Sequence, residues 1–302
     1  MLFGFTFRIE YPILTCHCCT YIGALQGTAG VMSSQRSCGA VVLPPSRCRA
    51  GFCAAQGRDI HLYFRLHPQL IERALPGASP PAGLRCTPRR CGRGVTDAVI
   101  TREEAERIRR IAERGLSLGG SDGGASILDL HSGALSLGKH FVNLYRYFGD
   151  KIRDIFTEED FALYRDVRQR IQQRIAQAFG ISPAVLYLTK PTFFSRINTT
   201  EAKTTHDEYW HPHIDKVTYG SFDYTSLLYL SDYAEDFGGG RFVFMDTDSN
   251  KTVEPQAGRV SFFTSGSENL HRVEKVRWGT RYAITISFTC NPDHSIGDPV
   301  LT

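Results

Sequence analysis

Residues 208–216 read EYWHPHIDK and crowd His211, His213 and Asp215 together. On an extended strand, residues i and i+2 share a face. His213 and Asp215 therefore present an imidazole and a carboxylate side by side, with Ile214 turned away. Two ligands hold a metal weakly, so a third is expected from elsewhere. The candidate is His271, in SGSENLHRV, at the head of a predicted strand. Two histidines and one carboxylate on one face form the set that binds non-haem Fe(II) and leaves other coordination positions open. His211 shares the period and rivals His213, but Pro212 disturbs the strand between them. His206 and His294 read as solvent histidines.

Ten residues past His271 stands Arg281, in WGTRYAITISF. A guanidinium fork suits a carboxylate because it binds in two places. Val276 and Arg281 flank the turn RWGT, so a hairpin is expected there. It would set Arg281 roughly 16 Å from His271 along the strand direction, at about 3.3 Å per residue. The arginine side chain and a five-carbon dicarboxylate would bridge most of that gap. Singly, each residue has a plainer reading: an accidental HxD, a packed histidine, an ion-paired arginine. Their conjunction inside one β-rich segment is what points to a site.

The elements that must carry these residues fall into two groups. TREEAERIRRIAERG predicts a helix, with Thr101 and Glu104 as a capping box, Ile108 and Ile111 on one face, and Gly115 as its end. A second helix is predicted around Lys139–Phe148. A third runs from Glu158 to Phe179, capped by Thr157, with Phe161, Tyr164, Val167, Ile171 and Ile175 on one stripe. The glycine-rich loop Ser117–Ser126 lacks the spacing of a phosphate cradle. After Pro183 the period becomes strand-like, with candidates at 192–198, 225–231, 241–246, 259–264, 271–276 and 281–288, separated by GGG, DTDSN, PQAG, SGSEN and RWGT. Short strands without intervening helices argue an antiparallel sandwich or barrel, so the fold class is α+β.

The whole chain sets few further bounds. Its 302 residues are 42% apolar and 22% charged, ordinary globular values. A net charge of +4, with no clustered basic face, makes no case for nucleic acid. Eight of nine cysteines lie at or before Cys91 and the ninth is Cys290. CTPRRC allows a short Cys86–Cys91 disulfide or two thiols, and the odd total fixes no framework. The CHCC cluster (Cys16, His17, Cys18, Cys19) lacks the usual spacing of zinc ligands. Tyr11–Gln35 carries no charge, yet is too polar to match the ~20 apolar residues of a membrane span. Met1–Gly30 makes a poor signal peptide because Glu10 and CHCC interrupt it. Four segments are expected: a poorly structured, turn-rich 1–84, a helical support region 85–188, the β domain 189–290 and a tail 291–302.

HPHID, DFGGGRFVFMD, VEPQAGRVSFF, LHRV and GTRYAITISF together resemble the 2-oxoglutarate- and Fe(II)-dependent dioxygenases of the prolyl and lysyl hydroxylase branch, with GGGRF and GTRY especially like the lysyl hydroxylases. The resemblance implies a double-stranded β-helix, or jelly roll, backed by N-terminal helices. It implies that His213, Asp215 and His271 hold Fe(II) and that Arg281 takes the far carboxylate of 2-oxoglutarate. Dioxygen would be the co-reactant, ascorbate would keep the iron reduced, and succinate and carbon dioxide would accompany hydroxylation of a protein or peptide substrate. Relatives often place a cosubstrate-binding tyrosine on the strand before HxD, but here that stretch reads FSRINTT. The second carboxylate partner stays open, with Thr285, on the Arg281 face, as a candidate. A non-catalytic scaffold and a jelly-roll zinc protein are the competing readings.

The resemblance also implies a membrane-associated protein of the endoplasmic reticulum lumen, although residues 1–84 show no such anchor. The sequons at Asn198 and Asn250 agree with a lumenal chain. Tyr209, Trp210, Tyr219, Phe222 and Tyr224 flank the expected metal entrance, as peptide-gripping or simply packed aromatics.

Overall fold

A computed structural model describes residues 86–88 and 90–300. The expectations placed on residues 1–84, the CHCC cluster among them, lie outside these.

The described chain opens with β1 (Arg93–Thr96) and α1 (Arg102–Ser117). The capping box forms as predicted: the Thr101 hydroxyl accepts from Glu104 N–H while the Glu104 carboxylate accepts from Thr101 N–H. Gly115 does not end this helix. It is buried within it, where a Cβ would collide with Leu128 and Phe156. Four strands that the sequence did not announce follow: β2 (Gly120–Ser121), β3 (Ala125–Leu128), β4 (Ala134–Gly138) and β5 (His140–Asn143). The helix expected over Lys139–Phe148 is therefore shortened to α2 (Leu144–Phe148). Asn143 divides it from β5 by accepting, through its side chain, the Arg146 N–H. After α3 (Ile152–Ile155) comes α4 (Glu158–Phe179), with the predicted bounds, a Thr157–Asp160 capping box and Gly180 at φ 65° closing it.

The remaining elements are β6 (Tyr187–Ile197), α5 (Asp215–Tyr219), β7 (Tyr224–Tyr229), β8 (Phe237–Gly239), β9 (Phe242–Phe244), β10 (Lys251–Val253), β11 (Val260–Thr264), β12 (His271–Val273), β13 (Val276–Gly279) and β14 (Arg281–Thr289). In the large sheet, β11, β7, β14 and β6 lie side by side and antiparallel, with β1 beyond β11 and β3 beyond β6. A smaller sheet orders β10, β9 and β12. Leu227 and Tyr229 of β7, Phe263 of β11 and Ala283 of β14 pack against Phe242, Phe244 and Val253 of the smaller sheet. The alternate residues Leu228, Phe262, Ile284 and Ile286 pack with Ile108, Ile111, Tyr164 and Ile171 of the helices. Each large apolar side chain so buried contributes about 1.5–3 kcal/mol relative to exposure. Period-two alternation thus gives the large sheet two covered faces, and the fold is an α+β double-stranded β-helix with supporting helices. Among the described residues no helix is long and apolar enough to cross a membrane.

Two local pairing expectations are corrected. The hairpin across RWGT does not form. β13 pairs with β8, Val276 opposite Gly239 and Gly279 opposite Phe237, while β14 is taken on both edges by β6 and β7. Gly279, at φ 74°, turns the chain from one sheet into the other. Nor does Cys86 pair with Cys91. It bonds Cys290, 204 residues away, with 5.3 Å between Cα atoms. Both partners are buried in the helix-side core, and Tyr224 Oη donates to the Cys86 carbonyl at 3.0 Å.

Candidate metal centre and cosubstrate pocket

The HxD pair is not carried by a named strand, as was expected. His213 forms a two-residue bridge with His271, each backbone N–H donating to the other's carbonyl at 2.9 and 3.1 Å. Ile214 is extended (φ −118°, ψ 120°), and Asp215 is the first residue of α5. One extended residue suffices to bring the flanking side chains together. His213 Nε2 lies 3.5 Å from Asp215 Oδ1, and His271 Nε2 lies 3.6 Å from the same oxygen. One ligand atom from each residue falls within 4.8 Å of the others.

The surroundings fix the donor atoms. His213 Nδ1–H donates to the His211 carbonyl at 3.0 Å, and His271 Nδ1–H to the Asn269 carbonyl at 2.8 Å. Both tautomers are thereby set with the Nε2 lone pair inward. Thr225 Oγ1 donates to Asp215 Oδ2 at 2.6 Å and meets Ser265 Oγ at 2.9 Å, which leaves Oδ1 facing the imidazoles. Phe242 stacks on His271 at 4.8 Å and Phe263 meets it edge-on at 5.0 Å. The side chains of His271 and Asp215 are 4% exposed and that of His213 is 32% exposed, so the cluster opens on the His213 side.

Burial drives the His271 pKa down to about 4. Burial also works to lower His213, but its hydrogen bond and charge contact with Asp215 raise it on balance. For Asp215, burial is outweighed by hydrogen bonds from His213 and Thr225 and by the nearness of His271, and the carboxyl is held below its ordinary range. A neutral His271 and an ionised Asp215 are the states a metal ligand requires. Two imidazole nitrogens, one carboxylate oxygen and an open side fit Fe(II).

Arg281 is 1% exposed. Its Nε–H donates to the Gly240 carbonyl at 2.9 Å, and its guanidinium lies 5.6 Å above the Tyr229 ring. Its Nη2 is buried with no hydrogen-bond partner, and burial lowers its pKa. A buried guanidinium without a counter-charge is costly. An anionic carboxylate would complete it, which is the fit expected of 2-oxoglutarate. Thr285 lies four residues along β14, half-buried and opposite Leu227. That is the stretch of sheet between Arg281 and Ser287, and Ser287 is the partner of Thr225.

Two residues with evident roles were missed. Thr225 holds Asp215, and Tyr229 underlies Arg281, donating to or accepting from Ser261 Oγ at 3.0 Å. Burial pushes the Tyr229 phenol up to about 12. Alternation along TSLLYLS, with Thr225 and Tyr229 on one face, was the available signal. The rival His211 is exposed and bonds Glu208 at 2.7 Å, while His206 and His294 are exposed and stand outside the His213, Asp215 and His271 group. Of the entrance aromatics, Phe222 and Tyr224 are fully buried in the core. Tyr209 and Trp210 are half-buried and meet edge-on at 5.2 Å, and Lys275 caps the Trp210 ring at 3.8 Å. Asn250 is exposed in the hairpin loop between β9 and β10. Asn198 is half-buried, its side-chain oxygen accepting from Thr200 N–H at 2.9 Å.

Comparison with known proteins shows the family to which the chain belongs. Residues 198–289 match the profile of the 2OG-Fe(II) oxygenase superfamily. The chain is 85% identical over 217 residues to 2-oxoglutarate and iron-dependent oxygenase domain-containing protein 3 of Mus musculus, covering 72% of this chain and 69% of that protein. It is 32% identical over 156 residues to prolyl 3-hydroxylase 1 of Homo sapiens, covering 46% of this chain and 21% of the other. A solved prolyl hydroxylase from Trichoplax adhaerens, in complex with a hypoxia inducible factor peptide fragment, matches 66% of this chain and 83% of its own at 15% identity and a TM-score of 0.45. The chain belongs to the 2OG-Fe(II) oxygenase superfamily.

Proposed function

We propose that this chain is an active 2-oxoglutarate- and Fe(II)-dependent dioxygenase that hydroxylates a side chain of a protein or peptide, in the manner of the prolyl and lysyl hydroxylases. One observation carries the reading. The buried Arg281 Nη2 lacks a partner on the same inter-sheet face that leads to His213, Asp215 and His271. A cosubstrate that chelates iron at one end and ends in a carboxylate at the other answers both features.

Bound Fe(II) would supply redox chemistry at the positions its protein ligands leave open. The chain's own work is positional. Asn269 and His211 carbonyls hold the imidazoles, Thr225 holds Asp215, and Arg281 would anchor the keto acid. Phe242 and Phe263 keep water from the His271 side. One oxygen atom of O2 would enter succinate and the other the substrate C–H bond, with carbon dioxide released. Ascorbate would return the iron to its reduced state. Residence in the secretory lumen, on or near a membrane, is part of the proposal. The exposed Asn250 sequon and the Cys86–Cys290 bond support it, since disulfides persist in oxidising compartments. The relation to prolyl 3-hydroxylase 1 supports a proline-containing substrate.

The test is turnover. Purified protein with Fe(II), ascorbate and a library of lumenal peptides should convert 2-oxoglutarate to succinate, with a gain of one oxygen atom on a peptide. The His213→Ala variant should do neither. Equal rescue of a cellular loss of function by wild type and His213→Ala would favour a scaffold instead.

A further inference from the structure

His271 is braced by a part of the chain that lies outside residues 198–289, the stretch matched to the oxygenase profile. Gly92 and Arg93, at the head of β1, reach it by two routes. The first is made of hydrogen bonds. Gly92 N–H donates to Thr264 Oγ1 at 3.2 Å, and Thr264 N–H donates to the Gly92 carbonyl at 3.0 Å. Asn269 Nδ2–H donates to the Thr264 carbonyl at 2.8 Å and to its hydroxyl at 3.1 Å. The Asn269 carbonyl then takes His271 Nδ1–H. The second route is the Arg93 side chain. Its guanidinium lies 4.1 Å over the Phe244 ring and forks onto Asp246, Nη2 to Oδ1 at 2.7 Å and Nη1 to Oδ2 at 3.2 Å. Phe244 is the β9 residue paired with His271. Met245, between Phe244 and Asp246, donates its N–H to the Leu270 carbonyl at 2.8 Å. Arg93 also stands opposite Phe263, the ring that meets His271 edge-on. A bidentate arginine–carboxylate pair fixes direction as well as distance. Both routes end on residues 269–271.

We infer that Arg93 is a positioning residue for His271, so that the metal centre includes the head of β1 as well as the matched segment. The inference rests on the proposed iron reading of the His213, Asp215 and His271 group. Arg93 bonds none of these three residues and acts through Phe244 and Asp246. Its fork holds the end of β9, and the end of β9 holds Leu270 beside the ligand. Residues that orient a ligand set metal affinity nearly as strongly as the ligands do. Releasing the fork would let the His271 Nε2 lone pair turn away from the ion.

The test is metal binding to the full chain, without turnover. Anaerobic protein is titrated with Fe(II) against a chromophoric chelator, and with Co(II), whose visible absorption reports the geometry of its ligands. Arg93→Met keeps a stem over Phe244 and removes the fork. Arg168→Met is the control, because it breaks a similar fork, onto Asp298 at 3.0 and 2.6 Å, that ties α4 to the C-terminal tail and includes none of the metal group. Both variants should melt at a lower temperature. Only Arg93→Met should weaken Fe(II) binding, by about tenfold, the low end of the range for a residue that orients a ligand, and only it should change the Co(II) spectrum. Asp246→Asn loosens the same fork from its other side and should change the spectrum likewise; if Arg93→Met does not fold, Asp246→Asn decides. Fe(II) affinity and a Co(II) spectrum equal to wild type in these variants would overturn the inference. So would the same spectral change in Arg168→Met, because general loss of stability would then account for it. Wild type that binds neither metal would overturn the iron reading itself, and this inference with it.

Discussion

Thr225 Oγ1 donates to Asp215 Oδ2 at 2.6 Å, and this one hydrogen bond decides which carboxylate oxygen faces His213 and His271. Thr225 sits on β7 of the large sheet, whereas Asp215 begins α5. The bond therefore anchors a ligand on a short helix to a strand that is buried along its whole length. Thr225→Val keeps the shape and removes the donor. Metal affinity should fall about 10–100-fold, the usual cost of losing a partner that orients a ligand. Competition titration with a chromophoric chelator measures it. Affinity equal to wild type would show that Asp215 is oriented without Thr225.

Gly240 lies at φ 65°, and a Cβ there would press on Phe237, Val276 and Arg281. Gly240→Ala should cost more than the ~1 kcal/mol of an ordinary glycine replacement, because its backbone carbonyl also holds Arg281 Nε. Both the melting temperature and the 2-oxoglutarate affinity should drop. Loss of stability with full cosubstrate affinity would mean that Arg281 does not depend on this contact.

The two histidines give the metal-free protein a defined pH response. The folded-state pKa of His271 is lowered from 6.5 to about 4, so the unfolded chain binds more protons between those values. Stability from His271 is present above pH 6.5 and is lost as pH falls toward about 4. His213 is shifted upward, so its contribution is full below pH 6.5 and is lost as pH rises through the folded value. Urea unfolding in a chelator should show the stability gap between wild type and His271→Gln shrinking as the solution is acidified. The gap to His213→Gln should shrink in the opposite direction. Gaps that stay constant across pH 4.5–8 would contradict the assigned shifts.

The Cys86–Cys290 bond ties the first described residues to the end of β14. Cys86→Ala together with Cys290→Ala should lower stability by about 2–5 kcal/mol, the range for a native disulfide. Peptide mapping without reduction should recover a fragment joining the two cysteines. A Cys86–Cys91 fragment in its place would contradict the pairing.

Local chemistry made much of this legible. Thr101 and Thr157 announced the starts of α1 and α4, and β-branched and aromatic alternation announced β7, β11 and β14. His213, Asp215, His271 and Arg281 stood out because few residue types can do that chemistry. What stayed hidden depends on partners remote in sequence. β2 and β5 are short and rich in glycine or polar residues, and only pairing with β4 makes them strands. β13 exchanges an apparent hairpin partner for β8 because β14 has no free edge. The Cys86–Cys290 bond spans 204 residues and leaves no local trace. Thr225 and Tyr229 looked like ordinary strand residues until the sheet aligned them with Asp215 and Arg281.

The central claim is that one face of this fold holds iron at His213, Asp215 and His271 and 2-oxoglutarate at Arg281. Anaerobic addition of 2-oxoglutarate to Fe(II)-loaded protein tests it most directly, through the visible charge-transfer band of an iron-bound keto acid. The account predicts a band in wild type, its loss in Asp215→Ala, and a band needing far more 2-oxoglutarate in Arg281→Ala. No band in wild type, or one indifferent to both substitutions, would contradict it.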